Sequence, residues 1–122
     1  MRIIGIDPGE TIGMCFYMGN RYIVGAEAHN VEGVIGFIEL HNPDRVIMED
    51  FILGPRPARA KDAIEQIGAI KYYCKDKDLL LFMQSPSALK FGKKHTTRVS
   101  NPSPHVLSAC AHVVYYLHKV KK

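Results

Sequence analysis

The chain has 122 residues, 47% of them hydrophobic, with 16 Lys and Arg against 12 Asp and Glu and three cysteines. That length makes one domain able to bury its own core without disulfides or a structural metal. Nothing in it approaches the roughly 20 consecutive apolar residues of a bilayer span, so no membrane association is expected. Cys15, Cys74 and Cys110 are scattered, odd in number and without a C-x-x-C pair. They read as core thiols of a reducing cytosol rather than as a disulfide framework or metal cluster. Asp7, Pro8, Gly9 and Glu10 interrupt the apolar start, so a secretory leader is not expected and the protein reads as cytoplasmic. Charge is unevenly placed: residues 1–78 hold all 12 acids and 9 Lys/Arg (−3), whereas residues 79–122 hold 7 Lys/Arg and no acid (+7). Such a split suggests a polyanionic partner, although a solvated tail of Lys119, Lys121 and Lys122 gives part of the same signal.

In chain order, residues 2–7 predict a strand, 12–18 a second, Gly19-Asn20 a turn and 21–29 a third. Asn30 is placed to cap a helix carrying Val31, Val34, Ile35 and Ile38 at helical spacing, ended by Asn42-Pro43. Residues 45–53 are largely apolar and predict a central strand. A second helix is expected over 60–78, with Ile64, Ile67, Ile70 and Tyr73 or Cys74 inward. A fifth strand covers 79–84, and a last helix begins near 103, after a polar, basic loop at 85–102. The order β-β-β-α-β-α-β-α is a meander feeding parallel crossovers, a mixed α/β domain with helices covering one sheet.

Two strands end on acids. The first stops at Asp7, and the fourth passes through Glu49 and Asp50 after a buried run. If these strands are parallel neighbours, Asp7 and Glu49 meet at the carboxyl edge of the sheet, where open α/β folds place their sites. Carboxylates that close repel unless a cation joins them, and oxygen ligands suit Mg²⁺ or Mn²⁺. On nucleic acid such an ion activates water and stabilises the departing oxygen of a phosphodiester. An Asp before Pro-Gly is also a common turn former, and Glu49-Asp50 is equally readable as an exposed strand end.

"IIGIDPGETIG" resembles the first motif of the RuvC-type Holliday junction resolvases, and "VIMEDF" resembles their second acidic strand, especially in small phage-encoded versions. The element order is similar to the ribonuclease H-like fold over nearly the whole chain, which implies a five-stranded mixed sheet. The resemblance implies a homodimeric, Mg²⁺-dependent endonuclease that nicks four-way DNA junctions, with Mn²⁺ as a substitute ion. It implies Asp7 and Glu49 as metal ligands and Asp50 as their neighbour. The last part of the family site reads His or Asp, two residues, then Asp-Ala; here His105, Val106, Leu107, Ser108 and Ala109 match, with Ser108 where an Asp is expected. A hydroxyl is a poorer ligand for a hard cation than carboxylate. His105, Ser108 and His112 share a helix face. His105 is placed to ligate metal or assist proton transfer, Ser108 is also readable as a packed serine bonding back to its helix, and His112 reads as a structural histidine. The serine admits three readings: a weakened active site supported by His105, a natural binder that has lost cleavage, or a substitution made to obtain an inert protein.

The loop at 85–102 brings Lys90, Lys93, Lys94 and Arg98, with His95, Thr96, Thr97 and Phe91, toward the same edge. Its cations are expected to meet phosphate. Arg56 and Arg59, with Lys61, form a second candidate rim. The expected partner is branched or four-way junction DNA. The alternatives are a catalytically silent junction binder and, more remotely, an ATP-binding protein of the same fold.

Overall fold

The computed structural model of the chain describes residues 1–19, 21–50, 57–89 and 99–120. The elements follow the expected order: β1 (Arg2–Asp7), β2 (Ile12–Met18), β3 (Arg21–Ala28), α1 (Val31–His41), β4 (Arg45–Glu49), α2 (Pro57–Asp76), β5 (Leu80–Gln84) and α3 (Pro104–Val120). The sheet runs β3-β2-β1-β4-β5. The β1–β2 and β2–β3 pairs are antiparallel, while β1–β4 and β4–β5 are parallel. The fold is therefore mixed α/β, and β1 is the strand at which the meander meets the crossovers.

Alternation along the strands divides the core in two. Ile4, Ile6, Met14, Phe16, Val46 and Met48 pack with Val34, Phe37 and Ile38 of α1 and Ile67, Ile70 and Cys74 of α2. On the other face Ile3, Cys15, Tyr17 and Ile47 pack with Val106, Ala109, Cys110, Val113 and Tyr116 of α3. With helices on both faces, β1 and β4 are apolar throughout their interiors, which is why they read as continuous hydrophobic runs.

The helix ends follow local chemistry. The Asn30 side chain accepts the Gly33 N–H at 2.9 Å, and Asn42 closes α1 in the left-handed region (φ 47°) with its N–H on the Ile38 carbonyl. At α3, Pro104 takes the first helical position, where its missing N–H costs nothing, and Ser103 Oγ accepts the Val106 N–H at 3.2 Å. At the far end of the acid-bearing strands, Asp44 clasps Arg2: the Arg2 N–H donates to Asp44 Oδ2 and the Asp44 N–H to the Arg2 carbonyl, each at 2.8 Å.

Some boundaries differ from expectation. Ile64 is 44% exposed, and the inward stripe of α2 is formed by Ala63, Gln66, Ile67, Ile70 and Cys74. Centring on Ile67 and Ile70 rotates Ile64 out of the stripe, and a glutamine, Gln66, stands among its buried residues. In α1 the inward residues are Val34, Phe37 and Ile38, with Ile35 only half-buried. Strand β4 ends at Glu49, and residues 51–53, expected to continue it, lie outside the described residues.

Helix α3 lies unusually close to the sheet. A Cβ at Gly13 would fall on the His105 carbonyl, and one at Gly5 on the Ala109 carbonyl and the Val113 side chain. Backbone cannot yield as a flexible side-chain end does, so Gly13→Ala is expected to cost more than the roughly 1–3 kcal/mol of ordinary overpacking. Gly36→Ala, in the middle of α1 with open space around it, should instead stabilise by about 0.5–1 kcal/mol. Urea unfolding of both variants checks the contrast.

Candidate active site

Side-chain parity and register assemble the site. Ile3 faces α3 and Gly5 abuts it, so Asp7, two residues on, projects to the same side. Ile47 faces α3, and so does Glu49 at the end of β4. The parallel register pairs Ile6 with Met48, which makes Asp7 and Glu49 the next neighbours, on strands about 4.8 Å apart. Glu49 is in turn paired with Gln84 at the end of β5. Asp7, Glu49 and Gln84 thus form a row across three parallel strand ends.

Helix α3 closes over this row. The fully buried His112 has Nε2 3.1 Å from Glu49 Oε1 and Nδ1 2.9 Å from Gln84 Oε1. The Glu49 side chain is 15% exposed, and among the described residues its second oxygen has no hydrogen-bond partner. Ser108, one turn before His112, is 9% exposed, and its hydroxyl makes no hydrogen bond among the described residues. The bond back to the helix that the alternative reading of Ser108 requires is absent there. His105 sits in the first turn of α3 with its carbonyl against Gly13, the strand partner of Asp7. Its side chain is exposed and makes no hydrogen bond or ion pair among the described residues. Asp50 is exposed just beyond β4, and its N–H extends the ladder to the Gln84 carbonyl at 2.6 Å.

The loop after Asp7 is held from α2. Gly9 has φ +155°, a backbone conformation that residues other than glycine rarely adopt. The buried Gln66 amide meets it twice: Gly9 N–H donates to Oε1 at 2.9 Å, and Nε2 donates to the Gly9 carbonyl at 2.8 Å. Sequence reading passed over Gln66 and Gln84, because an amide that bonds across a fold leaves no local pattern. His112, read from the sequence as a structural histidine, is fully buried and bonds to Glu49 and Gln84.

Among the described residues, no group of three or more His, Cys, Asp or Glu side chains is arranged to hold a metal ion. The donors at the edge are nevertheless of the right kind. Mg²⁺ is usually bound through one or two carboxylates, its remaining positions filled by water and substrate phosphate, rather than by a closed protein cage. Asp7 and Glu49 fit that description. The thiols take no part: Cys15, Cys74 and Cys110 are buried and free. Burial, then the hydrogen bond with Cys110, raises the Cys15 pKa far above the usual thiol range, while burial pushes Cys74 up to about 11.

Of the residues expected to meet DNA, Arg56, Lys90, Phe91, Lys93, Lys94, His95, Thr96, Thr97 and Arg98 lie outside the described residues, as do the side chains of Arg59 and Lys61. The Gln66 clamp yields its own prediction. Gln66→Leu keeps the volume but strips both partners from Gly9, an expected loss of about 1–3 kcal/mol. Thermal unfolding should register the loss, and amide exchange at Gly9 should quicken more than at the core of β1.

No family model and no curated protein sequence matches the chain. Solved structures do. Thermus thermophilus RuvC in complex with a Holliday junction substrate superposes with a TM-score of 0.81 at 13% identity, covering 99% of this chain and 95% of that one. Fowlpox virus resolvase, solved with its substrate Holliday junction DNA, gives 0.68 at 14% identity and full coverage of both chains. The yeast mitochondrial Holliday junction resolvase Ydc2 gives 0.58 at 12% identity, over 98% of this chain and 82% of that one. With the strand order and the three-layer arrangement already described, this chain has the ribonuclease H-like fold of the RuvC-type resolvases.

Proposed function

We propose that the chain is a structure-selective endonuclease that cleaves branched or four-way junction DNA by phosphodiester hydrolysis. The observation that carries this reading is the placement of Asp7 and Glu49 on adjacent parallel strand ends, on the face covered by α3. Two structural neighbours named as resolvases, and a RuvC which, like one of those two, is in complex with a Holliday junction, support the same assignment. Asp7 and Glu49 would hold Mg²⁺, or Mn²⁺ in its place, with Asp50 and His105 as outer candidates; the ion supplies water activation and stabilisation of the departing oxygen. Ser108 leaves the site one negative charge short. Phosphate contact falls to Lys90, Lys93, Lys94 and Arg98, with Arg56 and Arg59 as the second rim.

A homodimer suits a two-strand substrate, and α2 offers it a strip, exposed among the described residues, of Ile64 (44% exposed), Gly68 and Tyr72 (73% exposed), spaced four residues apart. No helix among the described residues is long and apolar enough to cross a membrane. Three free thiols suit the reducing cytoplasm, a phage-infected host cell included.

Ser108 favours a second reading, a junction binder without cleavage, and one comparison separates the two. Junction cleavage is measured in Mg²⁺ and Mn²⁺ for the chain itself, for Ser108→Asp and for Asp7→Asn. Ser108→Asp should raise cleavage, and Asp7→Asn should abolish it while sparing most junction binding. Mn²⁺ should rescue weak activity better than Mg²⁺, being the softer ion. A chain that binds junctions tightly yet cleaves in none of these forms is the silent binder. Binding itself should weaken about tenfold for each doubling of salt if four cations meet phosphate. Replacing Lys93 and Lys94 together by Ala should flatten that slope, read by gel shift over a salt series.

A further inference from the structure

His112 is fully buried, yet it is not satisfied by nearby backbone as a packing histidine usually is. Both ring nitrogens are committed to side chains on two different strand ends, Nε2 to Glu49 and Nδ1 to Gln84. Proton accounting fixes the direction of one bond. A carboxylate accepts and does not donate, so the contact to Glu49 needs the proton on Nε2. A neutral ring then accepts at Nδ1 from the Gln84 amide, whose O and N exchange by a half-turn; a ring carrying both protons donates to Gln84 as well. In both forms the Nε2–H points at Oε1.

We propose that His112 is the positioning residue for Glu49: it takes up Oε1, is braced from behind by Gln84, and leaves Oε2 as the oxygen Glu49 offers to a divalent cation beside Asp7. The proposal rests on Asp7 and Glu49 being the acid pair. It explains why an imidazole stands on the inner stripe of α3 among Val106, Ala109 and Val113, where an apolar residue would pack with no polar atom to satisfy. It also gives the chain a way to work with Ser108. A site with two carboxylates gains most from having each already oriented, since a swinging Glu49 would lose its remaining freedom only on binding the ion. Glu49 is anchored through β4, and Gln84 through β5, whose last residues are in register. The imidazole therefore ties α3 to both strands at the height of the site.

The test uses the whole chain without DNA, titrated with MnCl₂ while free Mn²⁺ is followed by electron paramagnetic resonance. The unaltered chain should take up Mn²⁺. His112→Leu, which keeps bulk and loses the donor, should bind it about 10-fold to 100-fold more weakly, the usual effect of removing a residue that orients a ligand. His112→Gln, whose amide N–H extends as far as Nε2 does, should recover most of the affinity. A merely structural role predicts the reverse order, since leucine is the better packer. The proposal is overturned if the unaltered chain takes up no Mn²⁺, or if His112→Leu binds it as the parent does. If His112→Leu does not fold, ¹⁵N NMR of the unaltered protein decides: a protonated Nε2 supports the role, and a bare Nε2 ends it. Variants that rank as expected for Mn²⁺ while no form cleaves a junction would sink the nuclease reading and leave the role of His112 intact.

Discussion

The site depends on how closely α3 can approach the sheet. Without side chains at Gly5 and Gly13, the helix backbone rests directly on β1 and β2. That contact sets the height at which every α3 residue meets the strand ends. His112 reaches Glu49 and Gln84 because the turns before it already touch the strands. An imidazole is short, and an extra ångström of separation would turn a 3.1 Å hydrogen bond into no bond at all. Steric permission at two glycines thus precedes any chemistry at the edge.

The other determinant is that a sheet with helices on both faces can keep charge at its rim alone. Within β1 and β4 the buried residues are apolar. Carboxylates appear only where the strands end, under α3 but next to the open edge, with the Glu49 side chain 15% exposed. Desolvation would penalise a carboxylate one pair earlier, whereas at the rim it keeps partial exposure and one polar neighbour. The acids are functional candidates because they lie at the first position where the fold tolerates them on the α3 side. Gln84 extends the row on β5 without a charge, and so braces the site without adding to the repulsion between the acids.

Much of this was legible in the sequence, for physical reasons. Asp7 and Glu49 stood out because each ends a continuous apolar run, and an acid at the end of a strand buried on both faces is visible from composition alone. The element order followed from turns and caps, such as Asn30 and Asn42, whose effects are local. What escaped were contacts made through space. Gln66 reaches Gly9 across 57 positions, and His112 reaches Glu49 across 63. An amide or imidazole of that kind has no partner at a fixed offset to betray it. Ile64 shows the converse error, since an isoleucine on a helix counts toward the inward stripe by composition while the phase of its neighbours turns it outward.

The clasp between Arg2 and Asp44 lies at the opposite end of the strands from the acids, yet it bears on their alignment. A hairpin turn sets the offset of two antiparallel strands; parallel strands joined through a helix have no such gauge. Here two reciprocal bonds at the entry to β1 and β4, one between backbones and one accepted by the Asp44 carboxylate, supply one. A slip of one residue would send Glu49 to the α1 and α2 side of the sheet, away from His112. The pair therefore acts as an index mark: it carries no chemistry itself, but it determines which face of the sheet the Glu49 carboxylate addresses five strand positions later.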